Sequence, residues 1–442
     1  IKYKRRLYIF RICSLIIFYI NNIYIYMSYS QLINESEIDQ ILIGNPQITY
    51  FKSVYRRHTP FYKGLYTFQK NEYNNSQLQG GFTKTEQISY GGYDLITDIF
   101  IEHRINNLSS GNKIYANIGN SLINSIILRV GQTALFTTYG LYMEARSELD
   151  NVYTPSILSN FSVPPYMLNN INSSLTCNTG NMYNMASFAG GVSGSDVSGS
   201  STDIFYTYPN FYFTKAYGNS FPICALNNTN TQLEIKYNSL TEYTDSTTCG
   251  LDSTVCMEYI VLSYEEKMRF VNNTDIYFYY DIEDITISNP IDLTNNLPIR
   301  QLFFMGNKGT SSSYTFTRST PTSLSDILSN LTIKVNADNM YDSQLNLIPI
   351  LTKQNLNKMY KGYGRELTVG STSSSKGYLD SIGVHSFSLD TTNTPSGHLS
   401  ANVNCKIELN VKNGERISDL KLYTEKIKFF RILGGQLQLL YM

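Results

Sequence analysis

Tryptophan is absent from this 442-residue chain, histidine occurs four times, and Asp, Glu, Lys and Arg together make up only 16% of it. The first two shortages leave little for a Trp-lined sugar site or a His-rich metal centre. Thirty-five Lys and Arg balance 35 Asp and Glu. With no excess positive charge to neutralise phosphates, the composition argues against an overall basic nucleic-acid binder. The six cysteines (Cys13, Cys177, Cys224, Cys249, Cys256 and Cys405) contain no C-x-x-C pair, and the Cys249–Cys256 spacing is not that of a zinc knuckle. His58, His103, His385 and His398 form no H-x-H or H-E-x-x-H pattern. In Gly191-Val-Ser-Gly194 the second glycine comes one position too early for a nucleophile elbow, and Met305-Gly-Asn-Lys-Gly-Thr310 lacks the first glycine of a P-loop. Residue by residue, no enzyme is legible, and neither a cofactor nor a metal is expected.

What the chain does have is 37 Tyr and 22 Phe, with 42% hydrophobic residues overall. Many aromatics and few charges mean a folded protein, and abundant Tyr, Asn, Ser and Thr favour strands. The length suits two or three domains.

Residues 1–26 differ from the rest. They hold five basic residues (Lys2, Lys4, Arg5, Arg6 and Arg11), no acidic one, and the apolar run Ile12–Ile20, with the first methionine at Met27. A basic start before an apolar run resembles a signal segment, but the run is too short to span a bilayer and no small-residue cleavage site follows. Upstream translation of AT-rich sequence, or an N-terminal extension, is the expectation. Without these residues the charge balance becomes 30 against 35 and five cysteines remain. An odd number of cysteines argues for reduced thiols rather than a disulfide framework.

A short helix is expected over Asn34–Ile43, capped by Asn34 with Glu37 in the capping-box position and stopped by Gly44. Beyond it the period is two. Ile99, Ile101, His103 and Ile105 alternate with Phe100, Glu102 and Arg104. Leu233, Ile235 and Tyr237 form a second such face, Val255, Met257, Tyr259 and Val261 a third. Leu331, Ile333 and Val335 make a fourth, Cys405, Ile407, Leu409 and Val411 a fifth. Each reads as a strand with one buried and one wet face, and His103 and His385 fall in such strands as packed residues rather than ligands. Two helical interruptions are expected, one following Gly131 and one opened by the capping box Ser263–Glu266. The second sets a domain boundary near residue 270. Ser147–Thr214 contains no Lys or Arg, and its Gly/Ser/Asn-rich centre reads as a long exposed loop. Asp281-Ile-Glu-Asp284 is either a cation site or a solvated turn. The sequons at Asn107, Asn160 and Asn330 are candidate glycosylation acceptors, at a frequency that the composition explains by chance.

Several segments, in chain order, resemble the major capsid proteins of the nucleocytoplasmic large DNA viruses. They are GNPQITYFKSVYRRHTPF (residues 44–61), GGYDLITDIFIEHRI (91–105), SIILRVGQTALFTTYGLYMEARSELD (125–150), MEYIVLSYEEKMRFV (257–271), HSFSLDTTNTPSGHLSANVNCKIELNV (385–411) and the C-terminal FRILGGQLQLLYM. The family usually has Trp in the helix following Gly131, where this chain has Tyr142 or Met143. The resemblance implies an all-β double jelly roll, two eight-stranded antiparallel sandwiches side by side with short linking helices. Its parts would be an arm (27–61), a first roll (62–270) and a second roll (271–442). It further implies a structural protein of the virion, assembled in the host cytoplasm, whose homotrimeric, pseudo-hexagonal capsomers tile an icosahedral shell. Implied partners are other copies of the chain, minor capsid proteins and an internal membrane, with no sequence-specific nucleic acid. By the same analogy Tyr50, Phe51, Tyr55, Arg56, Arg57 and His58 are candidate inner-arm contacts, and the Ser147–Thr214 loop faces outward. The alternative is an extracellular β-sandwich adhesin or lectin, suggested by the basic-apolar start and the sequons. A cupin-like enzyme lacks the clustered histidines it would need.

Overall fold

The computed structural model describes residues 57–74, 77, 81–88, 91–106, 118–150, 204–226, 229–239, 249–272, 274, 276–293, 298–306, 327–336, 338–342, 382–389, 396–400, 404–417 and 420–440, with Asn45 and Phe51. Thr59–Met442 form one compact unit. Its first nine strands are β1 (Phe61–Thr67), β2 (Asn71–Tyr73), β3 (Phe82–Ile88), β4 (Leu95–Asn106), β5 (Ile123–Val130), β6 (Thr133–Tyr139), β7 (Ile204–Thr207), β8 (Thr231–Tyr237) and β9 (Gly250–Leu262). Helix α1 (Ile118–Ser121) precedes β5, α2 (Gly140–Asp150) follows β6, and α3 (Tyr264–Asn272) follows β9. Then come β10 (Ile276–Ile285), β11 (Ile291–Asp292), β12 (Ile299–Gly306), β13 (Leu328–Val335), β14 (Asp338–Asp342), β15 (Ile382–Ser386), β16 (Cys405–Val411), β17 (Leu420–Leu433) and β18 (Gln436–Leu440).

The strands form four antiparallel sheets. One has the order β1-β9-β4-β7, with β2 also on β9, and it shares a core with a sheet of order β3-β8-β5-β6. The second half repeats the plan: β10-β17-β12-β15, with β18 also on β17, and β11-β16-β13-β14. Successive strands cross between the two sheets of a pair in Greek-key fashion, which is the jelly roll. The chain carries it twice.

The alternating strands fold as their period dictates. In β4, Ile99, Ile101, His103 and Ile105 are buried while Asp98, Phe100, Glu102 and Arg104 are half-exposed. β8 and β16 behave likewise. The face expected from Val255 to Val261 holds only in part: Val255 and Met257 are buried, but so are Cys256 and Ile260, while Tyr259 and Val261 are half-buried. The expected helix after Gly131 begins later than its sequence suggests. Gly131, at φ +61°, closes a tight turn that L side chains adopt poorly, and Thr133–Tyr139 then run back along β5 as a strand. Three threonines in that stretch suit a strand better than a helix. The helix starts at Gly140, where a Cβ would stand 2.0 Å from the Ile123 carbonyl oxygen. α3 starts as expected, with the Lys267 amide donating to the Ser263 carbonyl at 2.9 Å.

A buried hydrogen-bond chain threads the first roll. Thr207 Oγ1 donates to the Gly119 carbonyl, so it accepts from His103 Nε2 at 3.1 Å. His103 Nδ1 then accepts from Ser253 Oγ at 3.0 Å, and Ser253 accepts from the Tyr237 hydroxyl at 2.8 Å. A neutral imidazole satisfies this chain, and burial holds His103 down to about 3.

Candidate assembly interface

The first roll packs on the outer face of the second roll's β10-β17-β12-β15 sheet, and aromatic side chains make most of the contact. Phe136 of β6 lies against Tyr279 of β10 with ring centroids 5.0 Å apart, and Tyr212 meets Tyr280 at 5.2 Å. Tyr139 packs on Tyr423, and Tyr142 of α2 meets Phe303 of β12 edge-on at 5.1 Å. Polar groups fix the alignment: the Thr137 amide donates to Asp281 Oδ1 at 2.8 Å. This contact explains why the segment IRQLFFMG of β12 is apolar without alternation, since both of its faces are covered.

At the centre of the contact is a buried carboxylate. Glu425 of β17 is 1% exposed and faces Arg300 Nη1 of its own roll at 3.4 Å and Lys215 Nζ of the first roll at 3.8 Å. The Arg300 guanidinium lies 4.1 Å over the Tyr280 ring. Burial works against ionisation of Glu425. The combined field of Arg300, Lys215 and Arg146 of α2 overcomes it and holds the carboxyl below its usual range.

The first roll carries a register-matched copy of the sheet that receives this contact. Glu258 of β9 stands between Leu65 of β1 and Asp98 of β4. Glu425 of β17 stands in the same way between Ile282 of β10 and Gln301 of β12. Both sheets carry a bulge just before that position, between Ile96 and Asp98 and between Ile299 and Gln301. Ile96 and Ile299 each add an isolated bridge to a later segment, at Phe221 and Leu399. Tyr62 and Leu65 therefore correspond to Tyr279 and Ile282, Thr97 and Asp98 to Arg300 and Gln301, and Glu258 to Glu425.

The two copies differ in what covers them. Tyr279 is fully buried and Ile282 nearly so, whereas Tyr62 is 63% and Leu65 57% exposed. Phe61 and Tyr66 are also exposed, which leaves β1 an apolar edge strand with both faces open. Beside it Glu258 accepts from Thr97 Oγ1 at 2.8 Å and pairs with Lys63 at 2.8 Å. Burial pushes the neighbouring Asp98 carboxyl up to about 6, with Glu258 adding to the rise against the Ile99 amide.

Several residues singled out in the sequence lie elsewhere. Phe51, Arg57 and His58 are exposed, and Tyr50, Tyr55 and Arg56 fall outside the described residues. So do Asn107 and Asn160, while Asn330 is half-buried in β13 beside buried Leu331 and Thr332. Asp281–Asp284 is neither a turn nor a cation site. It lies in β10, where Asp281, Glu283 and Asp284 pair with Lys428, Lys426 and Lys421 of β17, because their side chains face that strand's lysines. The sequence reading missed Glu425 and Arg300. The available signal was charge inside apolar runs, Arg300 in IRQLFFMG and Glu425 in LYTEKIKFF. Among the described residues, no cluster of three His, Cys, Asp or Glu could hold a metal and no helix is long and apolar enough to cross a membrane.

Two jelly rolls on one plan, joined through the outer face of a sheet, define a double jelly-roll protein. Comparison with known proteins narrows this. The family model for the major capsid protein N-terminus matches residues 49–273, just over half of the chain. A major capsid protein of Pyramimonas orientalis virus is 25% identical over 279 residues, which is 62% of this chain and 64% of that protein. One from Paramecium bursaria Chlorella virus 1 is 37% identical over 102 residues, 23% of this chain and 22% of that protein. The matches thus span less than two thirds of either relative. A solved chain of the PBCV-1 virus capsid has the same fold, with a TM-score of 0.63 at 18% identity, over 89% of this chain and 100% of that one. The chain belongs to the major capsid protein family.

Proposed function

We propose that the protein is the structural tile of a large DNA virus, three copies closing into a ring of six jelly rolls that packs in an icosahedral shell. The observation that carries this is the unequal cover on two register-matched sheets. The second roll's sheet is occupied by the first roll of its own chain, while the first roll's sheet presents Phe61, Tyr62, Leu65 and Tyr66 to solvent. A contact that joins one face to a different face propagates head to tail, and it ends only where the ring closes. Repeating the inter-roll contact between chains would cover β1 as β10 is covered, and three chains would supply six rolls of nearly equal outline. In this reading residues 62–270 and 271–442 are the two rolls. Residues 27–61 form an arm directed to the shell's interior, towards minor capsid proteins or an internal membrane, and the loop within Ser147–Thr214 points outward. The virion shell is the protein's location, with assembly in the host cytoplasm, and its role is geometric rather than enzymatic.

Light scattering on the eluting full chain tests the ring. A trimer is expected, and a monomer at high concentration refutes it. A chain lacking Asn34–Phe61 should still trimerise but fail to build shells, and normal particles from it would remove the inward arm.

A further inference from the structure

We infer that Asp98 and Glu258 form the acidic receptor of the contact between copies. The second roll of a neighbouring copy sets cations on them, as the first roll sets Arg146 and Lys215 on Glu425 within the chain. The inference rests on the ring reading above and adds the electrostatic element that aligns it.

The positions match by register, since Glu258 and Glu425 occupy the same place beside the same bulge. Their charge balance differs in a telling way. Glu425 has Arg300 within its own roll and receives two further cations from the roll that covers it. At the equivalent sites of the first roll, Thr97 replaces Arg300 and Asp98 replaces Gln301. Two carboxylates therefore share one lysine, Lys63, whose ammonium also donates to the Tyr217 hydroxyl at 2.6 Å. The set is left with a net negative charge on a sheet face whose surroundings, Leu65, Phe100 and Tyr208, are apolar or aromatic. Such a patch is costly to cover with anything but a basic surface. Burial raises the Asp98 carboxyl, and Glu258 adds to the rise against the Ile99 amide and Lys63. The apolar strand β1 runs directly beside the pair, so the same neighbour would cover both.

The test is the trimer–monomer dissociation midpoint of the full chain, followed by mass photometry or sedimentation at low and high salt. Glu258→Gln keeps the shape of the side chain and Glu258→Lys reverses its charge. Each should raise the midpoint at least about tenfold at low salt, and both should lose the salt dependence of the wild type. Glu408→Gln, which removes a surface partner of Lys334 in the second roll, should leave the midpoint unchanged. A single melting transition close to that of the wild type confirms that each variant is folded. A wild-type trimer whose midpoint is unmoved by both Glu258 variants, or moved equally by Glu408→Gln, overturns the inference alone. It would leave the acidic pair to some other occupant. Wild-type protein that stays monomeric overturns the ring reading, and this inference with it.

Discussion

Replacing Glu425 by Gln removes one negative charge from the centre of the contact between the rolls while keeping the side chain's volume. Arg300 is 1% exposed, and Arg146 is also buried, so neither can turn to water when its anion is lost. Lys215, nearly a quarter exposed, can partly relax outward. The variant recovers the cost of burying the carboxylate but takes from Arg300 the anion at 3.4 Å and removes the field that Glu425 sets on Lys215 and Arg146. Breaking a buried ion pair from one side costs about 3–5 kcal/mol. Urea unfolding at fixed protein concentration and pH 7 should show that loss as a lower midpoint with an unchanged slope, because the surface exposed on unfolding is the same. The comparison that sharpens the result is Glu258→Gln at the register-equivalent site. Its lysine partner is open to solvent, so the stability of the separate chain should change little. Two glutamates in the same place of the same fold should thus behave oppositely. A Glu425→Gln shift within about 0.5 kcal/mol, the range of ordinary surface substitutions, would refute the electrostatic account of the contact.

Two further outcomes follow from the first roll and its partner. His103 and His385 are held by burial at about 3 and about 4, below the 6.5 of a free histidine. The unfolded chain therefore takes up protons that the folded chain refuses. Stability is full above about pH 6.5 and falls as the pH drops towards 4, by up to about 1.4 kcal/mol per pH unit for each histidine. His103→Asn should be less stable at pH 7 yet show a shallower loss between pH 7 and 5, and parallel profiles would remove His103 from the explanation. Gly140→Ala would place a methyl group 2.0 Å from the Ile123 carbonyl oxygen and 2.4 Å from that of Asn120. Both are backbone atoms that cannot swing aside, so a loss above about 4 kcal/mol is expected, and near wild-type melting would show that α2 begins differently.

Where one face of a strand is buried and the other wet, the sequence could be read directly. Ile99, Ile101, His103 and Ile105 announced β4 because a period of two has one physical meaning. Ser263 and Glu266 announced α3 because capping is local. The reading failed where the deciding partner is distant in the chain. Thr133–Tyr139 looked continuous with the helix that follows, and only pairing with β5 makes it a strand. Asp281–Asp284 looked like a turn because acidic residues favour water, yet the lysines that hold them are about 140 residues away on β17. Arg300 and Glu425 were visible as charges in apolar runs, but nothing in either run says that they face each other across a sheet.

The sequence by itself determined an all-β chain in two strand-rich halves and, through its ordered motifs, a likeness to one capsid family. These properties are carried by local periodicity and composition, which survive without knowledge of contacts. The tertiary structure alone decided that the halves share one register, down to the bulge before Glu258 and Glu425. It also decided that the chain buries β10 of one matched sheet and leaves β1 of the other exposed. Residues so different as Thr97 and Arg300, or Asp98 and Gln301, carry no trace of equivalence in sequence, because register is set by backbone pairing across the whole sheet.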